Sequence, residues 1–183
     1  MPQLEVEAAA ARLAAGAVLA YPTESCYGLG CDPHNREAVA RICRLKGRDP
    51  DQGLILVGGA WAHLEPYWGV LPERVAALLR MAWPGPVTFL LPPAPSVPAW
   101  ITGGQQRIAL RWSAHPRTAA LCRAFGGALV STSANRHGEP AARSAEGVTA
   151  AFGNGVDGIL AGELGRRRAP SAILDPLAGE RLR

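Results

Sequence analysis

The chain has 183 residues, 48% of them hydrophobic and 19% charged, with a formal net charge of +4. That length suits one domain with a real core, and the composition is too apolar for a disordered chain. No run of about 18 apolar residues is present, which excludes a membrane-spanning helix.

The first residues, Met1-Pro2-Gln3-Leu4-Glu5-Val6-Glu7, lack the basic-then-apolar order of a signal peptide, so a cytoplasmic protein is expected. Val6, Ala9, Ala10 and Leu13 recur at i, i+3, i+4 and i+7, which predicts an amphipathic helix stopped by Gly16. Residues 17–21 and 27–31 read as short apolar strands with no helix between them. Such neighbours predict a mixed sheet rather than a purely parallel one. Asn35 is the expected N-cap of a helix carrying Val39, Ile42, Cys43 and Lys46 on one stripe, with Gly47 as its stop. Lys46 is then a cation at the inner, C-terminal end of a core-facing helix, two residues before Arg48. A cation there also suits the helix dipole.

Residues 54–57 form a predicted buried strand, closed by Gly58-Gly59, and residues 61–67 are loosely helical. Pro72, at a first-turn position, opens a helix with Val75, Leu78, Leu79 and Ala82 inward. Trp83-Pro84-Gly85-Pro86 is a rigid turn into a strand at 87–91, and residues 92–98 make a proline-rich surface loop. In 107–112, Ile108, Leu110 and Trp112 face one way, Arg107 and Arg111 the other. Pro116 opens a helix with Thr118, Leu121, Cys122 and Phe125 inward, ended by Gly126-Gly127. Ser144 caps a further helix to about Phe152. Late strands at 156–160 and 171–174 flank the basic loop Gly165-Arg166-Arg167-Arg168. The expected class is α/β: one domain over residues 1–183, a twisted, mostly mixed sheet flanked by helices.

The stretch Ala128-Leu129-Val130-Ser131-Thr132-Ser133-Ala134-Asn135 passes from an apolar strand into hydroxyls. A buried strand ending in small polar groups presents donors and acceptors to a ligand beyond the carboxyl end of a sheet. The same hydroxyls also suit a turn. By the period of two, Ser131 and Ser133 share a face and Thr132 points away. The four cysteines (Cys26, Cys31, Cys43, Cys122) form no Cys-x-x-Cys pair and the histidines are scattered, so reduced core cysteines and no metal site are expected. A P-loop, a dinucleotide fingerprint, a nucleophile elbow and a His-Glu-x-x-His pair are all lacking. What remains is a set of cations and small hydroxyls at element ends: Thr23, Lys46, Arg48, Arg111, Ser131, Ser133, Asn135, Arg143 and Ser171. Such a set suits an anionic ligand such as a nucleotide phosphate.

Five stretches carry a resemblance. They are Tyr21-Pro22-Thr23-Glu24-Ser25-Cys26-Tyr27-Gly28-Leu29, Lys46-Gly47-Arg48, Trp83-Pro84-Gly85-Pro86-Val87-Thr88, Ala109-Leu110-Arg111 and Ser133-Ala134-Asn135. In this order and spacing the chain resembles the YrdC-like family of L-threonylcarbamoyladenylate synthases, in its short single-domain form. The resemblance implies that L-threonine, bicarbonate and ATP give threonylcarbamoyl-AMP and pyrophosphate, with magnesium carried in on ATP. It implies catalytic and phosphate-binding roles for Lys46 and Arg48, with Ser133, Asn135, Arg143 and Ser171 on the ATP side. Thr23, Arg111 and Ser131 would hold threonine, Arg111 through its carboxylate. The product would serve threonylcarbamoyladenosine formation in tRNA, with tRNA and a downstream threonylcarbamoyl transferase complex as partners. Two positions depart from the pattern. Gln52 stands where many relatives have a lysine, and Arg107 stands where many have a small hydroxyl residue, so the missing cation either weakens the phosphate contact or is compensated by Arg107.

Two other readings stand beside this one, the first from the basic composition and the second from the resemblance itself. One is an RNA-binding accessory factor (tRNA, dsRNA or rRNA) using a basic concave face that includes Arg143 and Arg166-Arg167-Arg168. The aromatic residues do not interleave with those cations as a base-stacking platform would. The other is a relative handling a different carbamoyl-like adenylate.

Overall fold

The computed structural model describes residues 1–183. Its strands are β1 (Gln3–Leu4), β2 (Leu19–Pro22), β3 (Tyr27–Gly30), β4 (Ile55–Gly58), β5 (Val87–Leu91), β6 (Ile108–Trp112), β7 (Leu129–Ser133), β8 (Gly158–Leu160), β9 (Ala172–Asp175) and β10 (Glu180–Arg181). The helices are α1 (Val6–Ala14), α2 (Arg36–Lys46), α3 (Trp61–Leu64), α4 (Glu73–Ala82), α5 (Ala99–Thr102), α6 (Pro116–Phe125) and α7 (Ala145–Phe152). All ten strands join one sheet, in the order β1-β8-β2-β3-β7-β4-β6-β5-β9-β10.

The sheet is mixed, as the two adjacent strands without a crossover helix require. β2 and β3 are antiparallel with Tyr21 opposite Gly28, whereas β4 and β6 run parallel. β7 lies between β3 and β4 and is antiparallel to both. The helices start and stop where local chemistry dictates. Asn35 accepts from Ala38 N at 3.0 Å to cap α2, which ends at Gly47 in the left-handed region (φ 60°). Ser144 caps α7 by accepting from Gly147 N.

Both faces of the sheet bury apolar residues. On one, α2 (Val39, Ile42), α4 (Val75, Leu79) and α5 (Ile101) cover Leu56, Leu110 and Val130, while α7 covers Ala20, Leu29 and Ile159. On the other, α1 and α6 (Leu13, Leu121, Cys122) cover Leu19, Tyr21, Val57 and Leu129. Trp61, Trp68 and Trp83 pack together over Phe89, with ring centroids 5.1–6.3 Å apart.

The short elements β1, α5 and β10 have no counterpart in the sequence reading, because two to four residues are too few for a periodicity to declare itself. Helix α4 begins at Glu73 with Pro72 as its N-cap, one residue later than the reading placed it. Leu78 was expected inward and is instead exposed, because the core-facing stripe of α4 is carried by Val75 and Leu79, one turn apart. Cys31, Cys43 and Cys122 are free and buried as expected; Cys26 is half-buried.

Tyr21 shows how tightly the strands around β7 are specified. It is fully buried, and its hydroxyl donates to Val130 O at 3.0 Å across β3. The reach is open only because Gly30 lies beneath it: a Cβ there would sit 2.2 Å from Val130 O and 2.7 Å from the Tyr21 ring. Gly30→Ala is therefore expected to destabilise the protein by about 1–3 kcal/mol, the usual cost of overpacking. A denaturant midpoint unchanged by this substitution would show that the strands can shift to admit a methyl group.

Candidate functional site

Helices α1 and α6 cover only part of their face of the sheet, and the remainder is open. Register shows which side chains lie there. Ile55 pairs with Ser131 and with Ala109, Ala109 pairs with Leu90, and Thr88 pairs with Ile173. Paired residues share a face, as do residues two apart, so Ile55, Leu90, Ala109, Arg111, Ser131, Ser133 and Ile173 lie on one surface. They line a cavity of about 1100 Å³. The cavity thus lies over an uncovered sheet face; the crevice beyond carboxyl strand ends that the sequence predicts describes only the contributions of β7 and of Thr23 after β2.

Thr23, Arg48, Arg111, Ser131, Ser133, Arg143 and Ser171, drawn from well-separated parts of the chain, all border this cavity. Thr23 is buried and donates its hydroxyl to Cys26 O at 2.7 Å. Ser171 is buried against Thr88, their hydroxyls 3.1 Å apart. Arg143 is exposed at the rim and donates to Ser25 O. Arg48 is half-buried and donates to Gly53 O at 2.8 Å, leaving its buried Nε without a partner. Thr132 pairs with Leu29 on the opposite face, yet it also borders the cavity where β7 ends.

Lys46 and Asn135 stand differently. Neither borders the cavity. The Lys46 ammonium lies behind its wall, donating to Ser133 O, to Asn135 O at 2.8 Å and to Asn135 Oδ1 at 3.0 Å. Asn135 Oδ1 also accepts from Ser133 Oγ at 2.6 Å. Lys46 therefore joins the end of α2 to the turn after β7 and fixes the Ser133 hydroxyl at one remove. Burial, and then the charge of Arg48, lower its pKa to about 8.

Sequence reading missed four cavity features. Arg183 borders the cavity and donates to Ser171 O at 3.1 Å; it lies beside β10, which no pattern announced. Arg168, from the basic loop, borders it too, and so does Cys26. Glu24 lies just behind the wall, with its Oε2 3.2 Å from Arg111 Nη1 and both residues buried. Burial opposes its ionisation, but the Arg111 charge and the Ser113 hydroxyl outweigh burial and hold its pKa below the ordinary value. The two departures also meet here: Gln52 and Arg107 both border the cavity, and Arg107 is held by Asp175 at 3.1 Å.

The electrostatic balance is one-sided. Six arginines and a single carboxylate, Asp175, line the cavity, and Asp175 is already engaged by Arg107. Arg111 Nε and Arg48 Nε are buried without hydrogen-bond partners. Buried donors are nearly always satisfied, so donors left open around a cavity mark where a ligand completes them. The complement is a polyanion with oxygen acceptors. No group of three or more His, Cys, Asp or Glu side chains is placed to hold a metal ion.

The family model described as "Telomere recombination", covering Sua5, YciO and YrdC, matches residues 11–183. The chain belongs to this Sua5/YciO/YrdC family. It is 51% identical over 185 residues to a threonylcarbamoyl-AMP synthase of Alkalilimnicola ehrlichii, covering all of this chain and 96% of that one. It is 46% identical to the synthase so named in Stenotrophomonas maltophilia, with both chains fully covered. Among solved structures, P. abyssi Sua5 complexed with L-threonine superposes with a TM-score of 0.88 at 34% identity, over 94% of this chain and 51% of that one. The chain thus spans about half the length of that Sua5. E. coli YciO superposes with a TM-score of 0.82 at 28% identity, over 93% of this chain and 82% of that one.

The Lys46 tie generates a pH dependence. Its lowered pKa means that the folded protein binds fewer protons than the unfolded chain between about pH 8 and the ordinary lysine value. Holding the charge therefore costs stability below pH 8, and the cost fades as pH rises. The tie itself runs the other way, since above about pH 8 the amine has lost a donor and its charge. Affinity for inorganic triphosphate is expected to fall through about pH 8. Lys46→Met should weaken it at any pH by about tenfold or more, the scale of a lost charged hydrogen bond. Titrations from pH 6.5 to 9.5 check both. A flat profile with an unaffected variant would show that the turn holds without Lys46.

Proposed function

We infer that this chain is a threonylcarbamoyl-AMP synthase, joining L-threonine, bicarbonate and ATP with release of pyrophosphate. The observation that carries the reading is the cavity over the open sheet face, lined by six arginines, two of which, Arg48 and Arg111, have a buried Nε without a partner. Relatives of the same length bearing this name support it, and so does the L-threonine complex of P. abyssi Sua5.

The chemistry fits such a site. The uncharged threonine nitrogen captures carbon dioxide derived from bicarbonate, giving a carbamate and releasing a proton. A carbamate oxygen then attacks the α-phosphorus, forming the P–O bond as the bond to the pyrophosphate oxygen breaks. The nucleophile comes from the substrate, so no Ser-His-Asp set is needed. Positioning and stabilisation of accumulating negative charge are the tasks left to the protein. Arg48, Ser133, Arg143, Ser171 and Arg183 suit the phosphates. Thr23, Arg111 and Ser131 suit threonine, with the Arg111 guanidinium on its carboxylate. Lys46 and Asn135 support the Ser133 turn from behind. Arg107 supplies a cation on the side where Gln52 lacks one. Magnesium arrives with ATP as part of the substrate complex, since Glu24 and Asp175 are already paired with arginines. The product serves threonylcarbamoyladenosine formation in tRNA through a downstream transferase complex, within the cytoplasm.

Contact with tRNA itself is an electrostatic side role in this reading. Arg166, Arg167 and Arg168 form an exposed loop with no acidic partner. Tyr27 is the one aromatic residue lining the cavity, so there is no stacking platform.

Purified protein incubated with ATP, bicarbonate and labelled L-threonine is expected to release pyrophosphate and form a threonine-bearing adenylate. Absence of any threonine-dependent product would overturn the reading. Arg111→Ala should raise the threonine requirement by about two orders of magnitude, as expected for a carboxylate that loses a charged hydrogen-bonding partner. An unchanged requirement would show that another group holds the carboxylate.

A further inference from the structure

Glu24 does not border the cavity, yet it touches the arginine assigned to the substrate carboxylate. We propose that Glu24 is a positioning residue, which fixes Arg111 by charge while leaving the guanidinium's hydrogen bonds free for the amino-acid substrate. The proposal rests on the threonine reading above and specifies how that subsite is built.

The geometry has three parts. Glu24 Oε1 is anchored, accepting from Ser113 Oγ at 2.7 Å and from Ala114 N at 3.1 Å. Glu24 Oε2 lies 3.2 Å from Arg111 Nη1 but makes no directed hydrogen bond, and it is buried. Arg111, with only 8% of its surface exposed, has a buried Nε that likewise lacks a partner. A guanidinium carries five N–H donors in a rigid fork, and burying one without directed partners is unfavourable unless something arrives to complete it. A carboxylate entering from the cavity matches that fork, while Glu24 on the other side balances the charge.

The backbone makes the anchor stiff. Gly165 N donates to Thr23 O at 2.9 Å and Arg167 N donates to Glu24 O at 3.0 Å, so the loop before β9 clamps this stretch. The approach is close enough that a Cβ on Gly165 would lie 2.6 Å from Glu24 O. With its main chain clamped here and Oε1 held by Ser113 and Ala114, Glu24 presents a fixed charge to Arg111 before substrate enters. A carboxylate held ionised behind the wall suits a fixed counter-charge and not a proton acceptor for the substrate amine.

Steady-state pyrophosphate release by the full chain tests this. Glu24→Gln keeps the shape and an acceptor for Ser113 but removes the charge facing Arg111. It is expected to raise KM for threonine at least tenfold, with kcat and KM for ATP within twofold. Glu24→Asp, which restores the charge on a shorter stem, should fall between. Ser113→Ala, which frees one anchor of Oε1, should raise KM for threonine about threefold, and it decides the matter should Glu24→Gln not fold. A folded variant with unchanged KM for threonine, or with equal losses in kcat and in KM for ATP, overturns the positioning role. Native protein that releases no threonine-dependent pyrophosphate overturns the functional reading on which that role rests.

Discussion

A stretch that begins apolar and ends in hydroxyls needs different surroundings at its two ends, and β7, buried at Leu129–Ser131 and exposed by Ser133, is built around that constraint. Leu129 and Val130 face opposite sides of the sheet and are both fully buried, each in its own helix-covered core. Two residues on, the same faces carry Ser131 and Thr132, and the side bearing Ser131 has lost its helical cover. A strand antiparallel to both neighbours can end there without a crossover, and its polar end is held by the Lys46 ammonium from α2. The cavity wall, the helix end and the central strand are one mechanical unit.

The electrostatics follow from where the helices stop. Burying cations is costly unless partners are supplied, and this fold supplies them sparingly. Arg107 has Asp175, Arg111 has an oblique contact with Glu24, and Arg48 has only carbonyl oxygens. Each carboxylate is itself pinned: Asp175 by the amides of Leu177 and Ala178, Glu24 by Ser113 and Ala114. The counter-charges are thus part of the rigid frame, and the arginines are aimed from it.

Elements with a full period were legible in the sequence. The stripe of α1, the cap and stop of α2 and the alternation of β6 all follow from spacing alone. The grouping of Thr23, Arg48, Arg111 and Ser133 was legible through motifs, and that of Ser131, Arg143 and Ser171 through their places at element ends, whereas their location over a sheet face was not, because it depends on where α6 ends its cover. Lys46 illustrates a second limit: its position on the inner stripe was clear, but whether its ammonium reaches through the wall or stops at carbonyls behind it depends on a turn eighty-nine residues away. Arg183 was invisible because a two-residue strand such as β10 has no pattern to read. Glu24 stood inside a recognised motif, and the available signal was chemical: an acidic residue beside Thr23 in a chain otherwise collecting cations.

The ring of six arginines around one carboxylate has a thermodynamic consequence. Arg143, Arg168 and Arg183 are exposed, so solvent and salt screen their mutual repulsion, which is felt most between the more buried Arg48 and Arg111. A polyanion that binds the folded cavity and not the unfolded chain stabilises the fold, so occupancy and folding are linked equilibria. The gain in stability from an anion bound in this cavity then depends on its concentration relative to its dissociation constant.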